Sequence, residues 1–251
     1  KLETASSVEI KSLTSNMLFS TPKLGDDLAA KSKLYRLTVK KYIDKCIKPN
    51  FSQPANYSFK PQAPGSKLKI GFLSNHFSRH SVGWCSADII RELSDITPNL
   101  YLYASERIVP DDRTQEFEKI GKLTYPKTYP NGLANSAEII AQIQQDELDV
   151  LGDLDALSVP VQSDILYQKP APVCVSWLGF DAPYLSSENY FLTDWHSHPA
   201  GREKYYDEQL IRMPDSFVAV SGFQRYGVDP VALRRSNRIG LDQIVYLCVA
   251  P

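Results

Sequence analysis

Short apolar segments alternate with helical segments along most of this chain, and that alternation limits the possible folds most. Residues 68–73 and 100–103 have the apolar composition of strands, and residues 86–96 between them have helical spacing. A further helix is predicted at residues 136–145, with Asn135 or Ser136 as its cap. Later strands are predicted at residues 148–153, 173–178, 190–194 and 209–213. This alternation is typical of right-handed βαβ units, so we predict an α/β fold: a Rossmann-like parallel sheet with helices on both faces.

The two ends of the chain differ from this middle part. Residues 26–46 have apolar residues at roughly helical spacing, and residues 50–66, rich in Pro, Asn, Ser and Gln, are predicted to be a linker. Residues 243–251 are nearly all apolar, which is typical of a parallel strand buried on both faces. The predicted domains are therefore a helical segment with linker (1–65), a Rossmann-like lobe (66–220), and a connection leading to the first strand of a second lobe (221–251).

Composition excludes several classes of function. The net charge of -1 gives no attraction to nucleic acid or to an anionic membrane, and no apolar run is long enough to span a membrane. Residues 1–10 have no apolar core, so no signal peptide is predicted. The four cysteines are widely spaced, as expected for free thiols of a reduced, cytoplasmic protein. No metal site is predicted.

Polar residues directly after the strands are the candidates for function, because ligands of open parallel sheets bind at the carboxyl ends of the strands. The first strand is followed by a loop that contains His76, Arg79 and His80. These side chains could bind an anion, or a histidine could act as a general base. The alternative is an exposed loop with incidental histidines, and chemistry alone gives the two interpretations similar weight.

A second strand end carries Asp153 and Asp155. Paired carboxylates could hydrogen-bond sugar hydroxyls or bind a divalent cation. They could also cap the helix that follows, and chemistry alone favours this capping interpretation.

A third strand end carries Trp177 and Gly179, a combination that suits a platform for a sugar ring, with packing of the tryptophan in the core as the alternative. A fourth carries His196 and His198, which could share a zinc ion. No third ligand stands at a useful spacing, so a zinc site is not predicted.

Several ordered blocks of this sequence resemble the O-GlcNAc transferases, including the plant SPINDLY-type enzymes. Residues 68–74, Phe77 and His80 are similar to the family's strand followed by D-F-x-x-H-P-x-x-H, and residues 148–154 are similar to its D-I-L-V-D-L-x-G. The most specific block is residues 169–173 with residues 177–180, where the family has R-P-A-P-I and W-L-G-Y. The resemblance covers about three quarters of the chain, from residue 67 onward.

The resemblance implies one lobe of a GT-B fold, in which two Rossmann-like lobes face a cleft. This lobe would hold mainly the acceptor, while the second lobe would bind most of the nucleotide-sugar, and tetratricopeptide repeats would precede both. His80 matches the family's first motif histidine and is therefore the predicted catalytic residue. The predicted substrate-binding residues are His76, Arg79, Asp153, Trp177, Gly179 and Asp181.

The sequence departs from the family pattern at several positions near the predicted cleft. His76 stands where the family has Asp, Ser81 where it has Pro, and Trp84 where it has a second His. Residues 181–185 stand where the family has P-G-T-(S/T)-G, in a loop that lies near the cleft in that family.

The predicted function is transfer of a hexosyl or N-acetylhexosaminyl group from a UDP- or GDP-linked sugar to a hydroxyl or amide acceptor, chiefly on protein. No cofactor is expected, since the nucleotide-sugar is a substrate, and this part alone is expected to be inactive. The alternative is a catalytically inactive GT-B-like module that serves protein interaction or sugar sensing. A GT-B-type epimerase is disfavoured because the matched blocks belong to transferases.

Overall fold

The computed structural model describes residues 4–23, 25–51, 59, 63–126, 135–219, 227 and 229–246. The strands in this part of the chain are β1 (Ile70–Ser74), β2 (Leu100–Ala104), β3 (Lys122–Thr124), β4 (Val150–Asp153), β5 (Val173–Ser176), β6 (Tyr190–Asp194) and β7 (Gln209–Met213). The α-helices are α1 (Ser7–Ser20), α2 (Leu28–Tyr42), α3 (Ser81–Ile96), α4 (Asp112–Ile120), α5 (Ser136–Asp146), α6 (Pro160–Gln168) and α7 (Pro230–Ser236). A π-helical turn, Ile43–Ile47, directly follows α2.

The strands form one parallel sheet in the order β3-β2-β1-β4-β5-β6-β7. The chain builds outward from β1 to β3 and then returns to the other side of β1 with β4, so the order reverses between β1 and β4. The register pairs Leu73 of β1 with Asp153 of β4. A crevice for ligands is expected at the carboxyl ends of these two strands.

Helices cover both faces of the sheet, as predicted. Leu73 and Leu151 belong to a buried cluster that includes residues of α1, α2, α5 and α6. Phe72 and Leu102 belong to a second cluster with residues of α3 and α4. Neighbouring strand residues such as Phe72 and Leu73 point to opposite faces, so each strand contributes to both cores. The predicted α/β fold class is confirmed.

Helix starts are set by local capping. Ser6 and Glu9 form a reciprocal capping box at the start of α1, and Asp27 accepts hydrogen bonds from two backbone N–H groups at the start of α2. Asn135 caps α5, which confirms one of the two predicted caps. The helix predicted at residues 86–96 begins earlier, at Ser81, because the imidazole of His80 accepts the N–H of Val82.

Two compact units divide the chain, residues 1–220 and 221–251. The first includes α1 and α2 together with the sheet. In the second, α7 is capped by Asp229, and Arg234 donates to the carbonyl oxygens of Gly240 and Gln243. The three-part division of the chain stays a prediction.

The final predicted strand differs from the structure where it can be compared. Residues 243–246 carry no strand, and Ile244 and Tyr246 are 80% and 92% exposed, whereas a strand of this kind needs neighbours and covering helices. Residues 247–251, and residues 52–58 and 60–62 of the predicted linker, lie outside the described residues. No described helix combines the length and apolarity needed to cross a membrane.

Candidate functional site

The loop after β1 forms the centre of the candidate site, at the point where the strand order reverses. Ser74 is buried at the end of β1, where its hydroxyl donates to Asp155 and accepts the N–H of His76. Gly83, in the first turn of α3, lies so close to the carbonyl oxygens of Ser78 and His76 that a Cβ there would collide with both. The loop is therefore held between the end of β1 and the start of α3.

His76 is paired with a buried carboxylate. Its Nδ1 lies 2.7 Å from Oδ1 of Asp155, whose side chain is 1% exposed, while the His76 side chain is 25% exposed. In the described part of the chain, no residue forms a hydrogen bond with Nε2 of His76. The imidazole therefore has one nitrogen fixed to the protein and one available to a ligand.

His80 stacks on His76 and is held differently. The ring centroids are 3.6 Å apart and the ring planes differ by 17°. Nδ1 of His80 accepts the backbone N–H of Val82 at 3.3 Å. Burial and the neighbouring His76 lower the pKa of His80 below its usual value, and Asp155 opposes this shift.

Three further polar residues lie near the histidine pair or its partner Asp155. Asn75 donates from its side chain to Oε2 of Glu106 at 3.1 Å. Burial raises the pKa of Glu106, while His76 nearby lowers it. Gln162 of α6 donates to Oδ2 of Asp155 at 2.7 Å. The site thus combines residues that follow β1, β2 and β4.

Arg79 is placed on the exposed side of the same loop. Its guanidinium donates two hydrogen bonds to the carboxylate of Asp112, at 2.5 and 2.6 Å, and both side chains are more than half exposed. The cation predicted to bind substrate is thus already paired with an anion in this structure.

Asp153 lies beneath the candidate site and has no exposed surface. Its carboxylate accepts the backbone N–H groups of Asp155 and Ala156 and the hydroxyl of Ser176. Burial and the nearby charge of Asp155 raise the pKa of Asp153 to about 7. These contacts hold the turn after β4, and a direct contact with a sugar hydroxyl would require the structure around Asp153 to open.

Trp177 is 4% exposed and donates its indole N–H to the carbonyl oxygen of Phe217 at 2.8 Å. It belongs to one of the two buried clusters, which matches the core-packing alternative. Gly179 lies directly against Asp155 and Ala156, so its missing side chain permits close approach of two backbone segments. This glycine supports the residues beneath the histidine pair.

Asp181 is half-buried beside aromatic residues. Its carboxylate accepts the N–H of Ala182 and interacts with the hydroxyls of Tyr184 and Tyr206. Burial raises the pKa of Asp181 to about 6. Tyr184 and Tyr206 stack on each other with ring centroids 5.7 Å apart.

The second pair of histidines, His196 and His198, does not form a shared site. Nδ1 of His198 forms a hydrogen bond with the hydroxyl of Thr193, and its Nε2 forms one with the hydroxyl of Tyr206 at 2.9 Å. The side chain of His196 is exposed. No group of three or more possible metal ligands occurs among the residues that the structure describes.

The site contains residues that sequence analysis did not select. Asp155 was considered only as a possible ligand or cap, and Glu106 and Gln162 were not considered. Asp155 stands two residues after the end of β4, and this place at a strand end is the sequence signal that could have identified it. Its pairing with His76 follows from the register of β1 with β4, which the sequence does not specify.

Comparisons with known proteins agree on one family. The sequence model described as glycosyl transferase family 41 matches residues 29–226. A probable UDP-N-acetylglucosamine–peptide N-acetylglucosaminyltransferase of Arabidopsis thaliana, SEC, is 24% identical over 209 residues, which are 80% of this chain and 21% of that protein. The SPINDLY protein of Petunia hybrida, which carries the same probable activity in its name, is 24% identical over 62% of this chain and 17% of its own length.

A solved structure has the same fold. It is a mutant of the O-GlcNAc transferase of Thermobaculum terrenum, which superposes with a TM-score of 0.61 at 20% sequence identity. The superposition covers 85% of this chain and 45% of that chain. The present chain thus spans about a fifth of the curated relatives and less than half of the solved structure.

Proposed function

The chain belongs to glycosyl transferase family 41, and on that premise we propose that it forms the acceptor-side lobe of a protein glycosyltransferase. Family membership confirms the resemblance to O-GlcNAc transferases. The proposed reaction moves a sugar from a UDP- or GDP-linked donor to a hydroxyl group of a protein, and the nucleotide-sugar serves as substrate rather than cofactor. The names of the relatives, which describe transfer of N-acetylglucosamine to peptide, support this choice of acceptor.

The observation that carries the proposal is the stacked pair His76 and His80 at the carboxyl ends of β1 and β4. An acceptor hydroxyl has a high pKa, so its transfer needs positioning and a group that takes its proton. Imidazoles serve both purposes near neutral pH. In this proposal His80 contacts the acceptor and holds it in place beside the donor sugar.

The remaining parts of the enzyme are proposed to be supplied by a second lobe, which would bind the diphosphate of the donor, and by preceding tetratricopeptide repeats that present the acceptor protein. The larger size of the relatives supports this arrangement. We place the activity in the cytoplasm. In this proposal, cationic or N–H groups of the second lobe stabilise the negative charge of the diphosphate as it leaves.

A non-catalytic module remains the second candidate, favoured by one observation. Arg79, Asp153 and Trp177, three of the predicted substrate-binding residues, use their polar groups in contacts within the protein. A protein that had lost activity could keep such contacts for stability alone. This candidate predicts weak or absent binding of nucleotide-sugars.

Nucleotide release from a panel of UDP- and GDP-sugars by the natural full-length protein tests the proposal. We expect turnover with one donor, and a fall in kcat of about tenfold or more in His80→Ala, because the acceptor loses a contact. The matched control is His196→Ala, which removes an exposed histidine from another loop and should leave kcat unchanged. Absence of both turnover and nucleotide binding in the folded protein would refute the enzyme and favour the non-catalytic module.

A further inference from the structure

His76 has a defined tautomer, because its partner can only accept a hydrogen bond. The ionised carboxylate of Asp155 has no donor, so the proton of the neutral imidazole lies on Nδ1, 2.7 Å from Oδ1. Nε2 of His76 then carries a lone pair. Since no described residue forms a hydrogen bond with this nitrogen, the lone pair is available to a ligand.

His80 has the opposite tautomer. Its Nδ1 accepts the N–H of Val82, so this nitrogen carries a lone pair and the proton of the neutral ring lies on Nε2. The two stacked rings therefore present different groups: His76 offers an acceptor, and His80 offers an N–H donor. An acceptor hydroxyl needs both, since it donates its proton and its oxygen accepts a hydrogen bond.

Asp155 is held in place by more than its contact with His76. Its other oxygen, Oδ2, accepts the hydroxyl of Ser74, the backbone N–H of Asn75 and the side-chain N–H of Gln162, at 2.7 to 2.9 Å. These donors compensate for the burial of the charge and fix the direction of Oδ1. A carboxylate oriented in this way fixes the position of the His76 ring through its Nδ1.

We propose that His76 is the general base of the transfer reaction and Asp155 its positioning residue, while the Nε2–H of His80 holds the acceptor oxygen. This assignment rests on the proposed function. The acceptor oxygen forms a bond with the anomeric carbon of the donor sugar, and the bond between that carbon and the diphosphate oxygen breaks. The electron pair leaves with the diphosphate, and the hydroxyl proton moves to Nε2 of His76 and then to solvent.

Glutamine substitutions at the two histidines distinguish the two roles. Glutamine retains an N–H donor but cannot take up a proton. We therefore expect His76→Gln to lower kcat about a hundredfold or more, as much as His76→Ala, with the KM for the donor changed by about twofold at most. We expect the kcat of His80→Gln to be about tenfold higher than that of His80→Ala, because glutamine restores an N–H donor. The kcat of His196→Gln should equal that of the wild type.

Added imidazole tests the base directly. In His76→Ala, free imidazole can occupy the space of the lost ring and accept the proton, so we expect nucleotide release to rise about tenfold with imidazole concentration. His80→Ala should show no comparable rise, because its base is intact. Equal behaviour of the two variants would overturn the assignment.

The tautomers give a readout that is independent of turnover. Long-range nitrogen–proton NMR spectra of the histidine-labelled full-length protein should show His76 protonated at Nδ1 and His80 protonated at Nε2. Asp155→Asn should shift His76 toward the other tautomer and lower kcat about tenfold or more, with little change in the KM for the donor. A wild-type His76 protonated at Nε2 would contradict the proposal.

The outcomes separate the two levels of inference. If the wild type releases nucleotide but His76→Gln behaves as His196→Gln does, the base is wrong and the transferase stands. If the folded wild type turns over none of the nucleotide-sugars, the proposed function itself fails, and the assignment of His76 fails with it.

Discussion

Asp153 and Asp155 are two residues apart, yet their surroundings give them different capacities. Asp155 receives side-chain donors and the imidazole of His76, while Asp153 receives backbone N–H groups and the hydroxyl of Ser176. Both are buried, so neither can contact substrate in this structure without a rearrangement. Asp155 can act through His76, whereas Asp153 organises the backbone that presents Asp155.

The loop that contains His76 and His80 could be predicted from the sequence, because position after a strand can be inferred from a pattern of apolar residues. The roles of the two rings could not be predicted in this way. Those roles depend on which atom lies next to each Nδ1, and the partners, Asp155 and Val82, are set by the register of the sheet and by the first turn of α3. Histidine is not a usual capping residue, so the cap had no sequence signal.

Gly179 provides a prediction at the scale of one residue. A Cβ at this position would lie 2.5 Å from the carbonyl carbon of Asp155 and from Cβ of Ala156, and 2.6 Å from the N of Ala156. Because two of these atoms belong to the backbone, we expect Gly179→Ala to lower the free energy of unfolding by about 1–3 kcal/mol. Urea denaturation would measure this change.

The control is Gly227→Ala, since no atom of the residues that the structure describes lies within 4 Å of a Cβ built at Gly227. An alanine there should change the free energy of unfolding by about 0.5 kcal/mol at most. Equal stability of the Gly179 variant and the wild type would show that the segment of Asp155 and Ala156 moves freely, and the fixed position of Asp155 would then be in doubt.

At the scale of elements, α1 and α2 are attached to the sheet by specific contacts. Arg36 donates to Asp207 at 2.7 Å and to the carbonyl oxygen of Tyr206 at 3.0 Å. Tyr35 is 4% exposed and stacks on Tyr184 with parallel rings 5.0 Å apart. The helices are thus part of the same compact unit as the sheet, and the loop that contains Asp181 packs against them.

The elements that sequence analysis found are those with strong periodicity. Six of the seven strands, all except β3, and helices α2, α3 and α5 were predicted, with ends that differ by a few residues. Helix α1 was not predicted because it is rich in Ser, Thr and Asn, which have low helix propensity. The spacing of Ser6 and Glu9 matches a capping box and was the one local signal for its start.

Truncation of Tyr35 tests whether α2 stabilises the sheet. Tyr35→Ala removes the ring that stacks on Tyr184 and the hydroxyl that lies 2.6 Å from the hydroxyl of Thr21. We expect a loss of about 3–5 kcal/mol in the free energy of unfolding, measured by urea denaturation. Lys33→Ala, at an exposed position of the same helix, should have almost no effect.

A loss below about 1 kcal/mol in Tyr35→Ala would mean that α2 can separate from the sheet with little cost. Residues 1–65 would then behave as the independent segment that the sequence suggested. The expected large loss would instead make α2 part of the folding unit that carries the candidate site.

At the scale of the whole molecule, the fold class followed from the alternation of strands and helices, since chain connectivity constrains a parallel sheet strongly. The residues of the candidate site could be predicted from the sequence less completely. The site joins residues after β1, β2 and β4, and their distances depend on side-chain packing that local patterns do not record. Predicted site residues such as Arg79 and Trp177 are near the correct sheet edge, but their polar groups have partners within the protein.

Buried carboxyl groups throughout the chain should determine how its stability depends on pH. Burial raises the pKa of Asp153 and Glu208 to about 7, and of Asp164 and Asp181 to about 6. Between about pH 4 and these values, the folded state binds more protons than the unfolded state, so stability falls as pH rises. His80 and His198, whose pKa values are lowered, act in the opposite direction but are fewer.

We therefore expect the free energy of unfolding to decrease from pH 5.5 to pH 8, measured by urea denaturation in buffers of equal ionic strength. Asp164→Asn isolates one group, because the asparagine side chain can still accept the hydrogen bond from the hydroxyl of Tyr42. The folded pKa of Asp164 is about 6, so most of its titration above pH 5.5 lies within the window, and the variant should lose roughly 1 kcal/mol less across it. A wild type that becomes more stable as pH rises, or a variant with the same slope as the wild type, would show that these carboxyl groups are hydrated in the folded protein.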